Sequence, residues 1–124
     1  MPKKVLVVDD DNDVVTYFSA CLEENGYDVA IARDGVEAGE RLKTEKTDLV
    51  ILDISMPNQS GVRVYREMKE HSELKNIPVV IVTGIMHEFK QFIHSRKQVP
   101  APEGYLEKPV KMDDFIGEVK RIIG

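Results

Sequence analysis

Short aliphatic runs alternate with longer amphipathic segments along the whole chain. The runs over 5–8, 49–52 and 79–82 are aliphatic at every position. Between the runs, apolar residues recur three or four positions apart, which is the spacing of one helix face. The pattern predicts five strand–helix units. The predicted strands are 5–8, 27–32, 49–53, 79–82 and 105–107, and the predicted helices run from Val14 to the stop at Gly26 and over 36–43, 61–71, 86–97 and 112–123.

These strands predict an α/β fold with a doubly wound, five-stranded parallel sheet. Strands that are aliphatic on both faces need helices on both faces, and crossover connections between parallel strands are right-handed. The expected arrangement is flavodoxin-like, with strand order 2-1-3-4-5, five helices and a single domain over 1–124. In this order the first and third strands are neighbours at the topological switch point, where such sheets place their sites.

Composition limits the classes of partner and the setting. The chain has 124 residues and a net charge of −5, and its basic residues are scattered among acids. This argues against nucleic-acid or membrane binding and favours protein partners. Cys21 is the only cysteine and falls on an apolar helix face, which predicts a small buried hydrophobe in a reducing, intracellular setting. The first apolar run is too short for a signal peptide or a membrane span, so we expect a cytoplasmic protein.

Polar residues whose side chains could take part in chemistry follow the predicted strands at their carboxyl ends. The expected members of this edge are Asp9, Asp10, Asp53, Thr83 and Lys108. Two carboxylates about 4 Å apart repel by roughly 4 kcal/mol at an effective dielectric constant near 20, so three of them need a cation. Oxygen ligands with negative charge suit Mg²⁺, with Mn²⁺ as a substitute. A carboxylate beside such an ion is suited to accept a phosphoryl group, which Lys108 would help to neutralise and Thr83 could contact through its hydroxyl group.

Each of these residues also has an ordinary structural interpretation. The acids over 9–13 could complement the dipole of the first helix, with Asp11 or Asn12 as its N-cap. Asp53 alone could form a turn, Thr83 alone could be a strand residue, and the Lys108-Pro109 pair alone could end a strand. Their expected coincidence at one edge of the sheet favours a functional site.

Four motifs together resemble the receiver domain of two-component response regulators, in particular its single-domain, chemotaxis-regulator-like form. They are Asp9-Asp10, Asp53 with Met56-Pro57 and Gly61, Thr83-Gly84, and Lys108-Pro109, and the resemblance covers residues 3 to 123. It implies that Asp53 accepts a phosphoryl group from a phosphohistidine on a sensor histidine kinase or a histidine phosphotransfer protein. The domain would catalyse its own phosphorylation and dephosphorylation and would not otherwise be an enzyme.

The resemblance also implies roles for individual residues. Asp9, Asp10, Asp53 and the backbone carbonyl of Ser55 would hold Mg²⁺, and Lys108 would pair with the phosphoryl group and precede a cis peptide bond to Pro109. Thr83 and Tyr105 would form a switch that changes the surface of the helix over 86–97, the last strand and the last helix. Ser55 and Ile85 would tune the lifetime of the phosphoryl group, with the apolar Ile85 hindering the attacking water. The expected state is a monomer or a weak, phosphorylation-dependent dimer.

One segment departs from the family pattern. Residues 97–104 replace the usual small-residue turn before the last strand, and Pro100 and Pro102 stiffen this connection. Standard docking of a partner or a dimer on the neighbouring surface is therefore in question. Gly84 stands where many members have alanine and leaves its loop freer.

Three alternatives remain, two with a different function and one with the same chemistry in a different context. A phosphohydrolase of the haloacid dehalogenase type would use Asp9 as nucleophile and Asp11 as acid, although the chain has little room for a substrate-selecting cap. A flavin-binding module is disfavoured because the acids after the first strand would repel phosphate. The chain could also be a receiver domain from a longer DNA-binding regulator or hybrid histidine kinase, although Met1 lies so close to the first strand that the amino end looks native.

Overall fold

The computed structural model of the chain describes residues 2–54, 60–84 and 101–124. All five predicted strands are present, and their ends agree with the sequence pattern to within one residue. The predicted helix over 86–97 lies outside the described residues, within which four helices are seen. The elements are β1 Lys4–Val8, α1 Asn12–Glu24, β2 Asp28–Ala32, α2 Gly35–Thr44, β3 Leu49–Asp53, α3 Ser60–Glu70, β4 Val79–Thr83, β5 Gly104–Glu107 and α4 Met112–Ile123.

The five strands form one parallel sheet in the order β2-β1-β3-β4-β5. This confirms the predicted strand order and the doubly wound α/β class. Every residue of β3 and β4 is buried, because both strands lie inside the sheet with helices on either face. The register pairs Val8 with Leu52 and Asp53 with Val82, so β1, β3 and β4 end close together.

Two hydrophobic layers cover the two faces of the sheet. Alternation along β1 sends Leu6 and Val8 to the layer that contains α2 and α3, and sends Val5 and Val7 to the layer that contains α1 and α4. In the second layer, the rings of Phe18 on α1 and Phe115 on α4 stack with centroids 4.2 Å apart. Cys21 is buried in this layer, as its place on the apolar helix face predicts.

The first helix begins at Asn12, and Asp11, three residues after the end of β1, is its N-cap. The carboxylate of Asp11 accepts hydrogen bonds from the amides of Asp13 at 2.9 Å and Val14 at 3.4 Å. At the other end of α1, Gly26 has a φ of 87°, a value that favours glycine, and leads the chain into β2. None of the helices in the described ranges has the length and apolar character needed to cross a membrane.

The amino ends of β4 and β5 are joined through Glu103. Its amide donates to the carbonyl of Val79 at 3.0 Å, and its side chain accepts from the amide of Val79 at 2.7 Å. The same carboxylate lies 3.6 Å from the ammonium group of Lys69, whose side chain is only 3% exposed. Arg121 on α4 donates to the carbonyl of Glu103 at 2.8 Å. Glu103 therefore connects α3, β4 and α4 at the edge of the sheet opposite the predicted site.

Candidate functional site

The predicted site residues lie at the carboxyl ends of four strands. Asp9 follows β1, Asp53 ends β3, Thr83 ends β4 and Lys108 follows β5. Backbone hydrogen bonds extend the ladder past the strand ends, from the Asp9 amide to the Ala32 carbonyl at 3.1 Å and from the Lys108 amide to the Thr83 carbonyl at 3.0 Å. These bonds fix the residues that carry the functional side chains to the rigid part of the sheet.

Three carboxylates meet at this edge. An oxygen of each of Asp9, Asp10 and Asp53 lies within 4.8 Å of the other two. Asp9 and Asp53 are 1% and 3% exposed, whereas Asp10 is exposed to solvent. The cluster is therefore buried on its inner side and open on the side of Asp10.

Lys108 brings a positive charge to the cluster. Its ammonium nitrogen lies 3.2 Å from Asp9 Oδ2 and 3.3 Å from Asp53 Oδ2. The lysine side chain is 26% exposed, so it reaches the buried acids from the rim of the site. One ammonium group thus bridges the acids that follow β1 and end β3.

Burial and charge change the proton affinities at the site. Burial raises the pKa of Asp9 from 3.8 to about 6, and the neighbouring charge of Asp53 adds to the rise. The hydrogen bond from the Asp11 amide at 2.9 Å and the charge of Lys108 act in the opposite direction and lower this pKa. Burial alone would lower the pKa of Lys108, but the two carboxylates outweigh burial and leave that pKa raised. Lys108 is therefore charged at neutral pH, and Asp9 titrates near pH 6.

The donor set fits a hard divalent cation. Three carboxylates and one ammonium group leave an excess of two negative charges, and every ligand atom offered is oxygen. Mg²⁺ and Mn²⁺ prefer such ligands and retain waters at their other positions, which the open side at Asp10 allows. The residues present are thus compatible with the magnesium site expected from the sequence.

The two predicted switch residues lie on adjacent strands. Thr83 is 0% exposed at the end of β4. Tyr105 on β5 is half-buried against the layer that contains α3, and burial raises its pKa. Burial, with Glu103 and Tyr105 nearby, also raises the pKa of the fully buried Tyr65. Tyr105 thus lies close to Glu103, which links α3, β4 and α4.

Other predicted positions have mixed outcomes. The Lys108-Pro109 peptide bond is cis. Ser55 and Ile85 lie outside the described residues. Asp11 caps α1, so its carboxylate is occupied by backbone amides, which disfavours the alternative in which it acts as the acid of a phosphohydrolase.

Gly61 has a structural role that the sequence pattern did not reveal. In the structure, a Cβ atom at Gly61 would lie 2.3 Å from the carbonyl oxygen of Asp53 and 2.5 Å from the Cα of Ile54. The first turn of α3 therefore rests directly on the backbone of the central acid.

A doubly wound α/β domain with carboxylates and a lysine at its switch point is compatible with a signalling module of the receiver type. The model of the response regulator receiver domain matches residues 5–120. The chain belongs to this family and is thus a signalling domain of two-component systems, in which receiver domains interact with histidine kinases and phosphotransfer proteins.

Named relatives and solved structures agree with this assignment. The chain is 32% identical to the polar-differentiation response regulator DivK of Brucella anthropi, over 100% of this chain and 98% of the relative. It is 33% identical to the alkaline phosphatase synthesis transcriptional regulatory protein PhoP of Bacillus subtilis, over 99% of this chain but only 49% of that protein. The crystal structure of the chemotaxis protein CheY4 of Vibrio cholerae superimposes with a TM-score of 0.87 at 28% identity, covering 99% of this chain and 100% of the other.

Proposed function

We propose that this receiver domain, as a single unit over 1–124, accepts a phosphoryl group on Asp53 in a Mg²⁺-dependent reaction that it catalyses itself. The donor would be a phosphohistidine on a sensor histidine kinase or a histidine phosphotransfer protein. One observation supports this most directly. Asp53 is buried at the switch point within 4.8 Å of two further carboxylates and 3.3 Å from the ammonium group of Lys108.

The chemistry follows from the arrangement of these groups. A carboxylate oxygen of Asp53 forms the new bond to phosphorus, the bond from phosphorus to the histidine nitrogen breaks, and its electron pair returns to the ring. Lys108 lies beside the nucleophile and would neutralise an oxygen of the transferred group. In phosphoryl transfer, positioning and neutralisation of charge supply most of the catalysis, and the sheet edge holds both groups in place.

The acids hold the metal in this proposal. Asp9, Asp10 and Asp53 would be ligands, together with the backbone carbonyl of Ser55. The bound ion would supply positive charge to the phosphoryl oxygens and offset the excess negative charge of the cluster. The buried Asp9 would remain a ligand throughout, while Asp53 changes from a carboxylate to an acyl phosphate.

The output is a change of surface. A phosphoryl group adds close to two negative charges and three acceptor oxygens. Thr83 is at the same sheet edge and would turn towards that group, and Tyr105 would turn further inward, which changes the surface of β5, α4 and the segment between β4 and β5. Ser55 and Ile85 would tune the phosphoryl lifetime, and the protein would act as a monomer or weak, phosphorylation-dependent dimer on a downstream protein.

The experiment is intact-protein mass spectrometry after incubation with acetyl phosphate. The expected result is the gain of one phosphoryl group that requires Mg²⁺, is retained with Mn²⁺ and is lost with EDTA. The Asp53→Asn variant preserves the shape of the side chain and should gain none.

A second variant separates this function from the phosphohydrolase alternative. Asp9→Asn should still gain a phosphoryl group at Asp53, more slowly, because only one metal ligand is removed. A gain that survives Asp53→Asn but disappears in Asp9→Asn would refute the proposal and place the nucleophile at Asp9. No gain in the unmodified protein would also refute autocatalysed phosphorylation.

A further inference from the structure

We infer that Gly61 is a positioning residue for Asp53: the first turn of α3 sets the position of the phosphoacceptor backbone, and only a residue without a Cβ atom permits that position. The inference rests on the proposed phosphorylation of Asp53 and extends it to a residue of α3. It would make the geometry of the site depend on a helix packed below it, and not on the sheet alone.

The contact is with backbone atoms. A Cβ at Gly61 would lie 2.3 Å from the Asp53 carbonyl oxygen, 2.5 Å from the Ile54 Cα and 3.0 Å from the Asp53 carbonyl carbon. A flexible side chain could move aside at such distances, but backbone atoms of a strand cannot do so independently. Relief of the contact therefore requires a shift of α3, of Asp53, or of both.

Backbone conformation does not explain the glycine. Within the described ranges, the glycines with positive φ are Gly26 and Gly124, so Gly61 does not need glycine for its dihedral angles. Two other helical glycines, Gly39 on α2 and Gly117 on α4, would have open space around an added Cβ. The requirement at Gly61 is thus one of space against Asp53.

The surroundings favour a shift that reaches the carboxylate. The helix α3 is anchored in the core by Tyr65 and Met68, which are 0% and 1% exposed. Asp53 is the last residue of β3 and is paired with Val82, so it lies at the end of the strand and not between two other strand residues. Separating the Cβ from the Asp53 oxygen to an ordinary contact distance requires about 1 Å of movement. A misplacement of about 1 Å at a reacting group can reduce a rate by about 100-fold.

The test is the Gly61→Ala variant, phosphorylated with acetyl phosphate and Mg²⁺ and followed by intact mass. We expect its maximal rate at saturating acetyl phosphate to fall by about 100-fold and by at least about 10-fold, with little change in the half-saturating concentration. Gly39→Ala and Gly117→Ala are matched controls, because each adds the same methyl group in open space. Both should stay within about twofold of the unmodified protein.

A second measurement does not depend on phosphorylation. In NMR spectra without acetyl phosphate, Gly61→Ala should shift the signals of the Asp53 amide and the Lys108 side-chain ammonium group, and the two controls should leave both in place. If the unmodified protein cannot be phosphorylated, the proposed function falls, and these shifts still decide whether Gly61 positions Asp53.

The outcomes are separable. A Gly61→Ala rate within about twofold of the unmodified protein, a loss equal to that of Gly39→Ala, or unchanged NMR signals at Asp53 and Lys108 would each overturn the inference. If Gly61→Ala does not fold, it is repeated in a Gly39→Ala, Gly117→Ala background, in which the two alanines strengthen their helices. Failure to fold there as well would assign Gly61 to folding and overturn its role in positioning.

Discussion

Replacing Asp9 with asparagine is expected to stabilise the metal-free protein at pH 7. Asp9 is 1% exposed, lies within 4.8 Å of two other acids, and shares the single ammonium group of Lys108 with Asp53. Asparagine keeps an oxygen that can accept the hydrogen bond from the Asp11 amide, which is 2.9 Å long. The substitution therefore removes the buried charge and its ion pair with Lys108, whose ammonium group keeps Asp53 as a partner.

The magnitude follows from the pKa of the Asp9 carboxyl group. Burial, reinforced by the charge of Asp53, raises this pKa from 3.8 to about 6. A difference of one pKa unit corresponds to about 1.4 kcal/mol, so ionised Asp9 costs the folded state about 3 kcal/mol at neutral pH. We expect the free energy of unfolding of Asp9→Asn at pH 7 to exceed that of the unmodified protein by about 2–3 kcal/mol.

The sign of the pH dependence follows from the same shift. The folded protein binds the Asp9 proton more tightly than the unfolded chain, whose carboxyl group keeps the ordinary pKa of 3.8. Protonation of Asp9 therefore adds to the free energy of unfolding. This contribution is complete below pH 3.8 and is lost as the pH rises through about 6. The advantage of Asp9→Asn should therefore be large at pH 7 and small near pH 4.

The assay is urea denaturation followed by circular dichroism in EDTA at pH 4 and pH 7. Asp28→Asn, which removes an exposed acid at the start of β2, controls for the change in net charge and should have little effect at either pH. Mg²⁺ should stabilise the unmodified protein at pH 7 more than it stabilises Asp9→Asn. Destabilisation by Asp9→Asn at pH 7, or an equal gain at both pH values, would refute the reasoning from burial.

Two further predictions concern residues outside the acidic cluster. Glu103→Gln keeps an acceptor for the first amide of β4 but leaves the nearly buried Lys69 without its carboxylate partner at 3.6 Å. It should lower the free energy of unfolding by about 1–2 kcal/mol. The exposed ion pair of Glu67 with Arg63 offers a control. Glu67→Gln should lower the free energy of unfolding by at most about 0.5 kcal/mol. Equal effects of Glu103→Gln and Glu67→Gln in urea titrations would contradict this prediction. Asp11→Ala removes the N-cap of α1 and should lower the free energy of unfolding by about 1 kcal/mol. The variant should still gain one phosphoryl group from acetyl phosphate. Loss of that gain would indicate a chemical role for Asp11.

The fold could be predicted from the sequence because its signals are local and periodic. The aliphatic runs 49–52 and 79–82 are long enough only for strands buried on both faces, and these become β3 and β4. Once the sheet is parallel, the carboxyl ends of its strands share an edge, so Asp9, Asp53 and Lys108 had to lie near one another. Topology alone does not give the distances of 3.2 Å and 3.3 Å to Lys108, because β5 is separated from β3 by β4 and the long lysine side chain has to reach across.

Contacts between distant segments could not be predicted in this way. Gly61 looks like any glycine near a helix start, and its contact with the Asp53 carbonyl depends on how closely α3 approaches β3. Glu103 lies in a segment that the sequence marks only as unusual and rich in proline. Its partners on α3, β4 and α4 are far away along the chain, and no periodic pattern encodes such contacts.

Two ionic clusters at opposite ends of the strands differ in charge balance. At the amino ends of β4 and β5, the carboxylates of Glu103 and Glu118 are matched by the cations of Lys69 and Arg121. At the carboxyl ends, three carboxylates lie together and one lysine bridges two of them, Asp9 and Asp53. Burial and repulsion raise the pKa of Asp9. The excess negative charge at the second cluster disfavours the metal-free folded state, and it is compatible with a divalent cation held by the same three acids.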